Sequence, residues 1–414
     1  RRANHELGDQ LCGSWMACRI GVGVERGCHG MHFEFATAGR IVFGPGVVSE
    51  VGPAAAHMGR RALLLTGRTP RRAACVSEAL REHGVVITTA VVSDEPTTDL
   101  VRDLVDCARA KTCDLVVSVG GGSVLDAGKA VAALLTNGGV PLDYLEVIGR
   151  GQRLLRPAAP HIAVPTTAGT GTEVTANAVL KSPEHRVKVS LRGPTILPSL
   201  ALVDPELTHS LPPSVTASTG LDAFTQLIEP YVSHQANPIT DGLCREGIQR
   251  VARSLRRAFE SGDDCGARED MALASLFGGL GLANAKLGAV HGFAGVLGGM
   301  FPAPHGAICG RLLPCVMAAN VRALTGRASD GEALRRYDEI ARWLTGSVDA
   351  VAADGLAWVA ELCQALATPP LSQYGMTEES FPAVINLTLR SSSMKGNPIS
   401  LTEDELRWIL EQSL

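Results

Sequence analysis

Between residues 60 and 205 two textures alternate along the chain. Short runs that are apolar at nearly every position, at 61–66 (RALLLT), 85–91, 114–119 (DLVVSV) and 161–164, are separated by amphipathic stretches at 72–83 and 98–110. A strand apolar on both faces is buried on both faces, and such strands alternating with helices predict a parallel sheet covered on each side. The last run, 200–203 (LALV), ends at Asp204-Pro205. Beyond it no strand-like text occurs. Residues 216–232, 241–259, 270–289, 334–345, 348–367 and 403–412 carry helical periodicity instead. The pattern predicts a Rossmann-like α/β domain over 31–205 and an all-α domain over 206–414, sharing a cleft.

Composition narrows the function classes. Of 414 residues, 45% are apolar and 19% charged, which excludes a disordered chain. Lys+Arg number 38 against 42 Asp+Glu, a net charge of −4, which argues against a nucleic-acid partner. Aromatics reach only 4% while glycines number 45, so the core must use small aliphatics and closely approaching backbone. The eleven cysteines show no repeated CxxC spacing and read as reduced thiols of a cytoplasmic protein. Cys12, Cys18 and Cys28 cluster without the second half of a zinc site. Residues 1–30 lack an apolar stretch suited to a signal peptide and read as a disordered extension, with order expected from near Met31. The segment 271–301 is long enough to span a bilayer, but its glycines, Lys286 and His291 fit a buried helix pair better, so no membrane partner is expected.

Two loops carry candidate ligand chemistry. The strand at 114–119 runs into Gly120-Gly121-Gly122-Ser123 and then helical text. Glycines there serve a tight turn, and they also let backbone N–H groups at a helix N-terminus approach a pyrophosphate. Asp126 and Lys129 follow on the first helical turns, where they are expected to accept from and donate to a ribose or amide. The second loop, Pro165 to Glu173 (PTTAGTGTE), follows the next strand. Thr170 and Glu173 have capping-box spacing, yet a polar loop at a strand's carboxyl end is also where open α/β sheets bind ligands.

The helical half carries a metal-like set. Asp222 and Gln226 stand four residues apart and share a helix face. His291 lies in the small-residue segment. His305 follows Pro302 and Pro304, which should end one helix and allow another to begin. One Asp and two His supply three ligands of a catalytic divalent metal with a position left open. The other nine histidines, His32 among them, read as ordinary core or surface residues.

At this point the text resembles the iron-containing (group III) alcohol dehydrogenase family, from about Phe33 to Leu414. The resemblance rests on IVFGPG at 41–46, GGGSVLDAGK at 120–129, PTTAGTGTEVT at 165–175, LVDPEL at 202–207 and GLDAFTQLIEPYVS at 220–233. AVHGFAGVLGG at 289–299, PHG at 304–306 and MKGNPISLTEDEL at 394–406 complete it. It implies a dinucleotide-binding, dehydroquinate synthase-like N-terminal domain, a helical metal domain, and NAD- or NADP-dependent interconversion of an alcohol and a carbonyl compound. By motif match Gly121, Gly122, Ser123, Thr166, Thr167 and Thr170 resemble cofactor contacts, Asp126 the nicotinamide-side Asp, and Lys129 and Lys188 the ribose-side lysines. Asp222, His291 and His305 match three of four ligands for Fe or Zn. The resemblance also implies a homodimer or larger homo-oligomer.

Three positions depart from the family pattern. Gln226 stands where a His ligand is usual, and a neutral amide is the weaker donor, so metal would be held weakly or not at all by the remaining set. Without metal, Gln226 and a protonated His291 or His305 would donate to a developing oxyanion. Gly295 replaces a His found in many members near the reacting carbonyl, which removes a proton relay. Gly67 ends the strand 61–66 where NAD-preferring members often place a carboxylate; with Arg68 beside it, a 2′-phosphate is tolerated, so NADP(H) should serve at least as well as NAD(H). Alternative readings are a maleylacetate reductase-like enzyme, for which only Lys286 and Arg311 offer cations, and an inactive cofactor-binding protein.

Overall fold

The computed structural model describes residues 31–185 and 187–414; the expectations for residues 1–30 and Cys12, Cys18 and Cys28 lie outside them. In the N-terminal half the chain forms β1 (Ile41–Phe43), α1 (Val51–Met58), β2 (Arg61–Thr66), α2 (Ala74–Glu82) and β3 (Val86–Val91). It continues through α3 (Thr98–Ala110), β4 (Leu115–Gly120), α4 (Gly122–Asn137), the short α5 (Pro141–Tyr144) and β5 (His161–Pro165). An antiparallel hairpin, β6 (Asn177–Ser182) and β7 (Val187–Arg192), precedes β8 (Leu200–Val203).

Six strands form one parallel sheet in the order β1-β8-β5-β4-β2-β3. Every residue of β2 after Arg61 is buried, because successive side chains enter opposite layers. Leu63 and Leu65 pack with Val101 and Val105 of α3 and Val131 of α4, while Ala62 and Leu64 pack with Val51 of α1 and Leu80 of α2. From β2 the chain moves outward to β3, then returns to lay β4 on the other flank of β2. Strand order reverses there, and the crevice at such a switch point is where open sheets take ligands. Gly67 follows β2 and the glycine turn follows β4, so both flank it.

The hydrophobic pattern located the inner strands but not β1 or the β6–β7 hairpin. β1 is three residues long, and β6 alternates buried and open positions with Lys181 on its outer side, so neither offers a continuous apolar run.

The C-terminal half comprises α6 (Pro213–Val232), α7 (Pro238–Glu260), α8 (Cys265–Ala285), α9 (Ala289–Met300), α10 (His305–Arg327), α11 (Glu332–Thr345), α12 (Ala352–Ala365), α13 (Phe381–Leu389) and α14 (Glu403–Ser413). The helix expected over 270–289 ends at Ala285. Lys286 there adopts φ 61°, and α8 and α9 diverge by 100°, so 271–301 is a bent helix pair rather than one rod. α10 is long and apolar enough to cross a membrane, and 67% of that stretch is buried within the protein. α6 is the axis of the bundle, with every residue from 220 to 233 buried. Its polar residues Asp222, Thr225, Gln226 and Glu229 therefore sit in the core, where each needs a partner. All eight cysteines among the described residues are free thiols.

Candidate active site

The glycine turn and the threonine loop meet. The Thr166 amide donates to the Gly120 carbonyl at 2.9 Å. A Cβ on Gly121 would lie 3.3 Å from Thr167, and one on Gly122 would press against Thr170 at 2.8 Å. Gly121 caps α4 without a side chain, so the first amides of the helix face the turn unobstructed. Gly121, Gly122, Ser123, Thr166, Thr167 and Thr170 thus form one cradle at the end of β4, and Gly67 approaches it through Val124, 3.9 Å from a Gly67 Cβ.

Lys129 departs from expectation. Its ammonium is fully buried and donates to the Thr172 carbonyl at 2.9 Å, the Thr175 hydroxyl at 2.9 Å and the Asn177 carbonyl, beside Asp126 at 3.0 Å. All of its donors are spent under the loop, so it pins α4 to that loop and cannot reach a ribose. Asp126 accepts from the Thr172 hydroxyl at 2.5 Å and the Val179 amide at 3.1 Å, and keeps 12% of its side chain exposed. Lys188, on β7, pairs with Glu95 and lies against Gly298 of α9, so its contacts are with Glu95 and the helical half rather than the glycine turn. Arg68 donates to the Ser93 carbonyl at 2.6 Å and pairs with Asp94, which holds its guanidinium at the ends of β2 and β3.

The threonine loop carries this cradle to the helical half. A Cβ on Gly169 would lie 2.7 Å from Thr219 of α6. Gly171, at φ +57°, comes so close to Gly279 of α8 that a Cβ would sit 2.4 Å from the partner's Cα. Only glycine satisfies both the left-handed backbone and that approach. Thr219 is one turn from Asp222, and Gly278 abuts Gln226, so the loop ends against the helices bearing the metal-like set.

That set converges. Nε2 of His291 lies 3.3 Å and Nε2 of His305 3.7 Å from the same Asp222 oxygen. The position of His305 depends on Gly306, because a Cβ there would run into the Ser218 carbonyl at 2.0 Å. Two residues missed by sequence reasoning complete the site. Glu229 accepts from the Val290 amide at 2.7 Å and holds Nδ1 of His291 at 2.7 Å. The carboxylate can only accept, so Nδ1 carries a proton and Nε2 is turned toward Asp222. Cys309, fully buried on α10, places its sulfur 3.8 Å from Asp222 and 3.9 Å from His291. Helical spacing offered the signal for both: Glu229 stands seven residues after Asp222, and Cys309 four after His305. Asn397, in the C-terminal motif, accepts from the Ala289 amide at 3.1 Å and so supports the start of α9.

Charge is balanced locally. Burial alone would raise the Asp222 carboxyl, but His305 and His291 hold it below the usual range. Burial disfavours a charged His291, yet Cys309, Glu229 and Asp222 more than offset this and raise it well above its ordinary value. Carboxylate, imidazole and thiol donors within 4.8 Å of one another suit a divalent cation. Asp222 and His291 are almost closed off, while 38% of the His305 side chain is exposed, so the site opens on that side.

Comparison with known proteins agrees with this arrangement. Residues 38–205 match the family model described as iron-containing alcohol dehydrogenase, and residues 216–414 the Fe-containing alcohol dehydrogenase family C-terminal model. The chain is 34% identical over 390 residues to a 1,3-propanediol dehydrogenase of Klebsiella pneumoniae, covering 92% of this chain and 98% of that one. Among solved structures, a 1,3-propanediol oxidoreductase superposes with a TM-score of 0.86 at 33% identity, over 93% of this chain and 100% of that one. An alcohol dehydrogenase from Oenococcus oeni superposes with a TM-score of 0.84 at 30% identity, over 92% and 100%. A glycine–threonine cradle, a four-donor cluster and near full-length likeness lead to one conclusion: the chain belongs to the iron-containing alcohol dehydrogenase family and is an oxidoreductase of the alcohol dehydrogenase type.

Proposed function

We propose that the protein interconverts a small alcohol and its aldehyde or ketone with NAD or NADP, in the cleft between the glycine turn and helices α6, α9 and α10. The observation that carries this reading is the continuous path from Gly121–Thr167 through Gly171–Gly279 to Asp222 and Gln226. The amides at the start of α4 and the hydroxyls of Thr166, Thr167 and Thr170 would hold the pyrophosphate, with Asp126 on the nicotinamide side. Asp222, His291 and His305 would hold a divalent metal, Fe or Zn, whose chemistry is Lewis-acid polarisation of the substrate oxygen. The nicotinamide supplies or accepts the hydride. Glu229 keeps the proton of His291 on Nδ1. Gln226 keeps a buried Oε1 without a partner, packed near Gly278 of α8.

A small neutral substrate fits the charges better than a dicarboxylate. Arg311 donates to the carbonyls of Gln412 and Ser413 at 3.1 Å, and Lys286 is exposed at the α8–α9 bend, so neither cation of the maleylacetate-reductase reading is directed to the site. The named substrate of the propanediol relatives makes short diols and their aldehydes the first compounds to try. Gly67 and Arg68 support NADP(H) at least as well as NAD(H). A cytoplasmic homodimer or larger assembly is the setting proposed. The test follows nicotinamide absorbance with short aldehydes and each cofactor. Turnover with at least one aldehyde is expected; cofactor binding without turnover of any aldehyde would leave a binding protein only.

A further inference from the structure

We infer that the thiolate of Cys309 is the fourth protein ligand of the metal, taking over from α10 the coordination that Gln226 of α6 does not supply. The inference rests on the metal-dependent reading above and deepens it. A tetrahedral site with metal–ligand bonds of ~2.0–2.3 Å separates its donor atoms by about 3.3–3.8 Å. The separations here are 3.3 Å for His291–Asp222, 3.7 Å for His305–Asp222, 3.8 Å for Cys309–Asp222 and 3.9 Å for Cys309–His291. Four of the six donor–donor distances thus fall at or close to tetrahedral edge lengths, and all four donor atoms lie within 4.8 Å of one another.

The surroundings of the sulfur point the same way. Cys309 is completely buried, and the polar groups facing it are Asp222, His291 and His305. Cys363, also buried, instead gives its thiol to the Gly310 carbonyl at 3.2 Å. Cys309 stands one helical turn after His305, so α10 presents two ligands from one face. Gln226, by contrast, has its Oε1 near Gly278 of α8, 3.7 Å from a Cβ there. On binding, the thiol releases its proton to solvent and the sulfur lone pair enters the coordination sphere. A thiolate in place of an imidazole shifts the site toward softer metals, favouring Zn over a hard-ligand ion.

The test is X-ray absorption on the full-length protein loaded with Zn, and electronic absorption on the same protein loaded with Co(II). One sulfur scatterer at ~2.3 Å is expected, together with a near-ultraviolet sulfur-to-cobalt charge-transfer band. Cys309→Ser should lose both signals and weaken metal binding by more than the roughly 10–100-fold that losing an outer partner costs. Cys315→Ser should keep both. Bound metal with only nitrogen and oxygen neighbours, alongside retained nicotinamide turnover, overturns the inference and leaves the proposed function standing. Failure to bind either metal, with no turnover, overturns both.

Discussion

At the scale of single residues, the site works through partners that hold the reactive groups in place. Glu229 is the clearest case, because one carboxylate caps the Val290 amide and orients His291. Glu229→Gln keeps the shape but removes the charge, and a loss of ~10–100-fold in metal affinity or activity is expected; isothermal titration with metal beside kcat measurements checks it. Arg68 belongs to the same scale. Arg68→Ala should lower kcat/KM with NADPH by about tenfold while leaving NADH almost unchanged, the worth of one charged contact. Asp94→Asn, which frees the guanidinium, should move the ratio the opposite way. His161 gives a pH prediction. Its ring is fully buried, and burial followed by the nearby Lys129 pushes it from 6.5 down to about 3. The fold therefore needs the neutral imidazole. That contribution is complete above pH 6.5 and is lost as pH falls toward 3, up to about 5 kcal/mol. His161→Gln should accordingly narrow its stability gap to the parent as pH drops from 7 to 4, read by denaturant titration.

At the scale of elements, the glycine contacts decide whether two halves make one site. Gly171→Ala must open the loop–α8 approach and place alanine in left-handed backbone, a cost of about 2 kcal/mol or more. Denaturation midpoints should fall, and KM for the cofactor should rise as the cradle shifts. How much of this was legible follows from the chemistry of each element. The inner strands were readable because both their faces are buried, so Leu63, Leu64 and Leu65 stand in an unbroken row. β6 was not, because one of its faces is open. α10 was anticipated only at its start, since its text is apolar nearly all round and carries Pro314 inside the helix. Asp222, His291 and His305 were read from residue type and helix placement, and family likeness then matched them to ligand positions. Glu229 and Cys309 lay on the same helix faces, but a carboxylate or thiol at such a spacing is commonplace until tertiary packing shows what faces it. Lys129 failed for the converse reason: an offset in the text cannot tell an ammonium offered to a ligand from one folded beneath a loop.

At the scale of the whole molecule, a parallel sheet supplies the glycine–threonine cradle at its switch point, and a bundle centred on α6 supplies buried donors. Function requires both to act on one substrate. The most direct measurement is turnover against metal content, in samples stripped by chelator and reloaded in steps. Activity should rise in proportion to bound metal, from near zero in the stripped protein, while the affinity for the nicotinamide cofactor stays nearly constant. Undiminished turnover in the stripped protein would contradict the account.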